Sequence, residues 1–405
     1  MKQLLHPKNT PASTANNVLS FVAVLLAVFF LGRPACSEGK SGIDLRSIER
    51  HRVLSNADKY LHEKPITITA YRSTRSAGGR HDFYSEGDYW WPNPASPDSP
   101  YVQRDGMTNP DNFIAHRKAM IRFSTIVPAL AAAYTLTRDE RYAAQAIRHL
   151  RAWFVADKTK MNPNLEYAQA IKGRSIGRGI GIIDTIHLVE VARAVETLEG
   201  SHALTPSLDA GIKKWFSEYL HWMTTSKNGI EEREAKNNHG TCWTMQVAEF
   251  SHLVGDTAEL QYCRNHFKEI LLPNQMAADG SFPLELKRTK PYGYSLFNLD
   301  AMATVCQILS TREDNLWDFT LPDGRNMHKA VEFMYPYILD KSRWPYPSDV
   351  MFFQYWPVRQ PSLLFAGVAY DEQKYIELWK KLDADPTNEE VIRNFPVRQP
   401  LLWFK

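Results

Sequence analysis

The stretch Glu-Glu-Arg-Glu-Ala-Lys-Asn-Asn-His-Gly-Thr-Cys-Trp, from Glu231 to Trp243, decides how this chain is read. After Trp243, the residues Val247, Phe250 and Val254 fall at i+4, i+7 and i+11, which is one apolar stripe of an α-helix. A helix therefore starts near Asn238, and Asn237, Asn238 and His239 stand at its N-terminus. Unsatisfied backbone N–H groups and the positive end of the helix dipole favour an anion at such a place. Asparagine is also a good N-cap, so capping and anion binding are both open for either amide. Together the pair supplies one amide more than a cap needs.

The helical period recurs along most of the chain. It predicts helices over 115–135, with Pro128 inside the apolar face, and over 140–155, 182–198 and 206–225. Further helices are expected over 239–255, 257–271, 296–310, 327–338 and 371–382, and a weaker one over 43–60. Residues 66–70 alternate and read as a short strand or extended arm, while 322–339 and 343–357 are mixed. Roughly ten helices joined by short turns predict a mostly α domain of antiparallel helical hairpins. No strict repeat is present, which disfavours a regular solenoid; a ring of hairpins fits the count.

A second segment, Leu-Lys-Arg-Thr-Lys-Pro-Tyr-Gly-Tyr-Ser-Leu-Phe-Asn-Leu-Asp from Leu286 to Asp300, carries Arg288, Tyr292 and Tyr294. The planar fork of Arg288 matches a carboxylate. Tyr294 follows six residues later, with Pro291 and Gly293 shaping the loop between them. A phenol beside a cation loses its proton more easily than its reference pKa of about 10 implies; standing alone, Tyr294 reads as an ordinary buried tyrosine. Glu232 is placed to orient the imidazole or the arginine, although the charges around it read as a solvated face. Tyr89, Trp90 and Trp91 lie on a Gly- and Pro-punctuated loop over 83–94. Their rings suit the C–H face of a pyranose and equally suit pinning a loop to the core. Residues 174–179 superficially resemble a phosphate loop but lack the preceding strand and the glycine spacing. The glycines fit close helix packing there, with Arg178 facing a cleft. His116, His149, His187 and His221 sit singly on helices, and no metal ligand set or nucleotide motif can be assembled.

Residues 18–32 form an apolar run too short to span a bilayer comfortably, preceded by Lys2 and Lys8 and followed by Ala35-Cys36-Ser37. This predicts a signal peptide over 1–37, a mature domain over 38–405, a secreted or periplasmic location and no stable membrane association after cleavage. Removing 1–37 takes three of the 48 basic residues and none of the 45 acidic ones, leaving a formal balance of zero. Bulk charge thus offers nothing to nucleic acid, and affinity for a polyanion must come from a local cluster. Three cysteines remain, Cys242, Cys263 and Cys306, with no disulfide or zinc spacing; buried thiols are expected.

Several of these stretches together resemble the alginate lyase superfamily: Gly87 to Pro94, Asp105-Gly106 with Asn109-Pro110, Gly173 to Gly179, Asn237 to Thr241, and Arg288 through Tyr294. Within it the chain is similar to polysaccharide lyase family thirty-eight, whose members act on alginate or glucuronan. The resemblance spans about residues 80–370. It implies an (α/α) toroid, an incomplete helical barrel with a cleft for the polymer, and it implies no cofactor. Related lyases often carry Tyr-His after the arginine, where this chain has Tyr292-Gly293-Tyr294; the spacing matches the family best for Tyr294. The implied activity is β-elimination on a uronic-acid polymer. Asn238, His239 and Arg288 would neutralise the carboxylate, Arg288 would also lower the Tyr294 pKa, and Tyr294 would act as base and then acid. Glu232, Tyr89, Trp90, Trp91, Arg178 and Tyr292 are the expected substrate-binding residues, and the expected state is a monomer. A toroidal glycoside hydrolase would instead need two carboxylates, with Glu86, Asp88 and Glu232 as candidates. A non-catalytic binder of acidic polysaccharide would use the Trp-rich loop alone.

Overall fold

The computed structural model describes residues 42–96 and 98–404; the predicted signal segment lies outside the described residues. The chain is an (α/α) toroid. Its helices are α1 (Leu45–Tyr60), α2 (Ala115–Thr137), α3 (Glu140–Phe154), α4 (Leu188–Leu198), α5 (Pro206–Thr225), α6 (Lys227–Arg233), α7 (Asn238–Val254) and α8 (Thr257–His266). They continue as α9 (Leu272–Gln275), α10 (Pro283–Leu286), α11 (Pro291–Leu309), α12 (Met327–Leu339), α13 (Pro361–Ala369), α14 (Gln373–Lys381) and α15 (Glu389–Arg393). Neighbours pack pairwise: α1 on α2, α2 on α3 and α4, α4 and α5 on α7, α7 on α8 and α11, and α11 on α13.

Helix α2 is long and apolar enough to cross a membrane, yet 78% of its apolar window is buried inside the fold. It is therefore a core helix. Pro128 sits within it and is itself buried. A helix-interior proline costs about 3 kcal/mol, which packing on both sides of α2 offsets. Phe123 stacks on Trp153 at 4.7 Å, and Phe154 meets Trp215 at 4.5 Å, so aromatics tie α2, α3 and α5 together. The three cysteines are free and buried, as expected.

Four expectations change. Residues 66–70 hold a 3₁₀ turn (Ile68–Ala70) and not a strand, because the Thr67 hydroxyl captures the Thr69 N–H and curls the backbone. Residues 182–198 become α-helical only at Leu188; Gly179–Thr185 is 3₁₀. There the backbone is pressed on its neighbours, and a Cβ on Gly181 would come within 2.5 Å of the Ala168 side chain. The helix expected over 296–310 begins earlier, at Pro291. Its cap comes from far along the chain: the Asp349 carboxylate accepts from the N–H groups of Tyr292 and Gly293, at 2.9 Å each. Helices α6, α9, α10, α13 and α15 were not expected, nor were the small ladders formed by β1 (Tyr84–Glu86), β2 (Trp90–Trp91), β3 (Val102–Gln103) and β4 (Tyr167–Ala170). β1 pairs parallel with β4, and β2 antiparallel with β3.

Candidate active site

The start of α7 builds one wall of a cleft. Asn237 is the N-cap, and its side chain accepts from the His239 N–H at 3.4 Å. With the capping role taken, Asn238 is free for another. It is held by Glu285 on α10, which accepts from the Asn238 backbone N–H at 2.7 Å and from its side-chain Nδ2 at 2.8 Å. Glu285 and Asn238 are both buried, and burial raises the Glu285 pKa against the pull of these hydrogen bonds.

His239 is oriented by Glu232 at the end of α6. Its Nδ1 lies 2.7 Å from Glu232 Oε1. A carboxylate can only accept, so Nδ1 carries a proton and Nε2 is left towards the cleft. Glu232 is fully buried; burial lifts its pKa, and His239 pulls it back only in part. Glu232 therefore holds the imidazole from behind and is screened from the polymer that it was expected to touch.

The opposite wall carries Arg288 and Tyr294. Arg288 donates to both oxygens of Asp105, at 2.7 and 3.2 Å, and its Nη2 also donates to the Tyr294 hydroxyl at 3.2 Å. Its guanidinium lies 4.3 Å from the centre of the Tyr294 ring. Burial works against the charge on Arg288, but Asp105 and its neighbours outweigh that and keep the pKa raised. Tyr294 behaves otherwise. Burial pushes its phenol well up; Arg288 and the Tyr89 hydroxyl pull it down without overcoming burial. The net lowering expected of Arg288 is thus not found in the empty cleft.

Tyr89 does more than present a ring: its hydroxyl is 2.5 Å from that of Tyr294. Trp90 and Arg178 line the same cavity, together with Gln103, Gln169 and Asn394. Trp91 stands outside it, with its indole N–H donating to the Met107 carbonyl at 2.8 Å and Arg104 over its ring. Tyr292 is also removed from the cleft. It is fully buried, donates to the Tyr337 carbonyl at 2.9 Å, and packs edge-on against Trp344 and Phe353. Residues 292 and 294 diverge because both lie on one helix, where side chains two apart point to different faces. Of the two tyrosines, only Tyr294 reaches Arg288.

The cavity holds about 100 Å³, less than the ~300 Å³ at the lower end of ligand sites, because the Tyr89 loop lies against Tyr294. A larger cavity of about 850 Å³ shares Asp88, Glu390 and Arg393 with it but lacks Asn238, His239, Arg288 and Tyr294. The residues expected to carry the chemistry therefore line the smaller one. The shared wall is an ion network: Asp88 meets Arg117 at 2.7 Å and Arg393 at 2.6 Å, and Lys290 meets Glu390 at 2.9 Å. Burial alone would raise the Asp88 pKa; the two guanidiniums reverse that and set it at about 2. Glu86 is engaged by Arg75, the Tyr84 hydroxyl and the Phe113 N–H. The three carboxylates considered for a hydrolase are thus all committed to holding other groups.

Sequence reasoning missed Glu285, Glu390, Arg393 and Asn394 as site residues. Nothing local marks them, since tertiary packing alone brings Glu390, Arg393 and Asn394 to the cleft and Glu285 behind Asn238. Among the described residues, Glu196, Glu249 and His252 are close enough to share a cation. They lie away from the cleft, and Arg193 Nε is already 2.9 Å from Glu249.

The alginate lyase family model matches residues 67–344. The crystal structure of an alginate lyase from Bacteroides ovatus is similar at 33% identity and a TM-score of 0.75, over 88% of this chain and 93% of that one. Two variants of alginate lyase A1-III complexed with tetrasaccharide share the fold, at 14% and 12% identity. Their TM-scores are 0.55 and 0.52, with 89% of this chain and 94% of theirs covered in each case. A search of the curated proteins finds no match. The family match spans most of the chain and includes both walls of the cleft, so this chain belongs to the alginate lyase family and is a polysaccharide lyase.

Proposed function

We propose that the cleft cleaves a mannuronate-rich alginate, or the related polymer glucuronan, by β-elimination. The observation that carries this is the convergence of Arg288 Nη2 on the Tyr294 hydroxyl, at 3.2 Å, in a cavity that Asn238 and His239 also line. The proton on C5 of a uronate is weakly acidic while the neighbouring carboxylate is charged. Donors aimed at that carboxylate stabilise the enolate-like transition state, commonly the largest catalytic term. Asn238 and Arg288 supply them, and His239 Nε2 joins them when the ring carries both protons; each is held by its own carboxylate, Glu285, Asp105 and Glu232 in turn.

In mannuronate and glucuronate, H5 and O4 lie on the same face of the ring. Tyr294 as phenolate takes the C5 proton and returns it to the O4 leaving oxygen; the C4–O4 bond breaks and a C4–C5 double bond forms. Since burial keeps Tyr294 protonated in the empty cleft, turnover rises with pH as the phenolate fraction grows. One observation favours a second substrate. A neutral Tyr294 and an imidazole protonated at Nδ1 are an acid and a base already in place. Guluronate, with H5 and O4 on opposite faces, needs such a pair, with His239 as base. The A1-III structures that hold tetrasaccharide are a histidine-to-alanine and a tyrosine-to-phenylalanine variant, which agrees with roles for both residue types. Export and a monomeric state accompany this reading as expectations.

The test is ultraviolet absorbance of the unsaturated product with polymannuronate, polyguluronate and glucuronan in parallel, for wild type and Tyr294→Phe. A rise that the variant abolishes supports the reading. Reducing ends without absorbance would replace it with hydrolysis.

A further inference from the structure

The loop that carries Trp90 and Trp91 has a second feature beside the catalytic cleft. Four cations lie over three aromatic residues: Arg104 over Trp91 at 5.0 Å, Arg174 and Arg178 over Trp90 at 5.2 and 5.8 Å, and Lys172 over Tyr101 at 5.8 Å. The backbone fixes them as one patch. β2 and β3 pair through Trp90–Gln103 and Trp91–Val102, the Tyr101 N–H donates to the Lys172 carbonyl at 3.2 Å, and Arg174 Nε donates to the Tyr101 carbonyl at 2.8 Å.

The cations inside and behind the cleft are answered by acids, as Arg117, Lys290 and Arg288 are. These four make no ion pair among the described residues. Over residues 89–104 and 172–178 the chain has these four cations and one acid, Asp98. Arg104, Lys172 and Arg174 are exposed, whereas Arg178 is half-buried and lines the cleft beside Trp90. A strip of positive charge without a direct ion pair, set on aromatic faces and running out from the cleft, matches a ligand with carboxylates at intervals and apolar ring faces between them. Stacking on a ring also fixes a guanidinium, so less side-chain freedom is lost when a carboxylate binds.

We propose that this rim is an extended binding track for uronate residues several positions from the scissile bond, so that the enzyme grips internal stretches of long chains and cuts within them. The proposal rests on the polyuronate reading above. The experiment uses Arg104→Ser/Lys172→Ser, two exposed side chains with no hydrogen bond among the described residues, and then adds Arg174→Ser. Affinity for long polymannuronate is measured by tryptophan fluorescence at about 50 and 200 mM salt, the range over which counterion release is large. Steady-state turnover of the polymer and of a trisaccharide is followed alongside. The double variant is expected to bind polymer about fivefold more weakly, with a log–log salt slope reduced by up to about one per cation removed. Turnover of the trisaccharide stays within twofold of wild type.

Polymer affinity and salt slope equal to wild type would overturn the track, whatever the chemistry. A wild type that makes no unsaturated product but binds polymer more tightly than the variant would keep the track and remove the lyase assignment. Melting curves of both variants separate a folding defect from a binding one.

Discussion

Replacing Glu232 by Gln isolates the group behind the imidazole. Glu232 Oε1 accepts from His239 Nδ1 at 2.7 Å, and its other oxygen has no hydrogen-bond partner. Glutamine keeps the shape and still offers an oxygen to Nδ1, but the bond changes from charge-assisted to neutral. Hydrogen bonds to charged groups contribute about 1.5–3 kcal/mol and neutral ones about 0.5–1.5, so the difference is about 1–1.5 kcal/mol. If His239 gathers positive charge as it meets the uronate carboxylate or takes a proton, that difference appears in the barrier. The expected loss in kcat is then about 5- to 15-fold. Stability should be nearly untouched, since a fully buried carboxylate whose pKa burial raises gives way to a neutral amide that keeps the bond to His239 Nδ1. The assay is product absorbance across a pH series, with the melting temperature as control. The deficit should widen with pH until Glu232 in the wild type is fully ionised. A kcat within twofold of wild type at every pH, with the fold intact, would refute the claim that Glu232 tunes His239 for catalysis.

Tyr89→Phe removes the hydroxyl that lowers the Tyr294 pKa. The alkaline rise in kcat should move up by about half to one pH unit, the equivalent of one neutral hydrogen bond; an unmoved profile would show that Tyr89 does not tune the base. Asp300, buried on α11 and held by the Ser362 N–H at 3.1 Å, has its pKa pushed by burial from 3.8 to about 7. The folded state therefore binds the proton more tightly than the unfolded one. Stability is full below about pH 4 and falls as pH rises towards 7. Asp300→Asn should remove this loss, on the order of a few kcal/mol, so that melting temperatures at pH 5 and 8 converge relative to wild type. Equal pH dependence in both proteins would discount Asp300.

The parts of this molecule that were legible in the sequence are those written locally. The Trp243 stripe and the Asn-Asn-His in front of it placed α7 and its polar N-terminus correctly, because capping and periodicity act within a turn or two. Helix α11 was misjudged at its start because its cap is Asp349, 57 residues beyond Tyr292. The same distance effect hid Glu285 behind Asn238 and left the two tyrosines of the 288–294 segment ambiguous. Only the helical geometry, which buries Tyr292 beside Trp344 and turns Tyr294 to Arg288, separates them. The direction of the Tyr294 pKa was likewise misread, since adjacency to Arg288 is visible in sequence and depth of burial is not.

The cleft is stitched from distant parts of the chain. The hydroxyls of Tyr89 and Tyr294 meet across 205 residues, and Asp88 is tied to Arg393 near the other end. Contacts of such sequence separation close the largest loops, so they form late in folding and hold only while the whole ring is closed. The helices, held by their own i→i−4 bonds and by adjacent partners, outlast them. Catalytic competence is accordingly expected to fall before the helical signal on warming, and turnover lost in step with far-ultraviolet ellipticity would refute this.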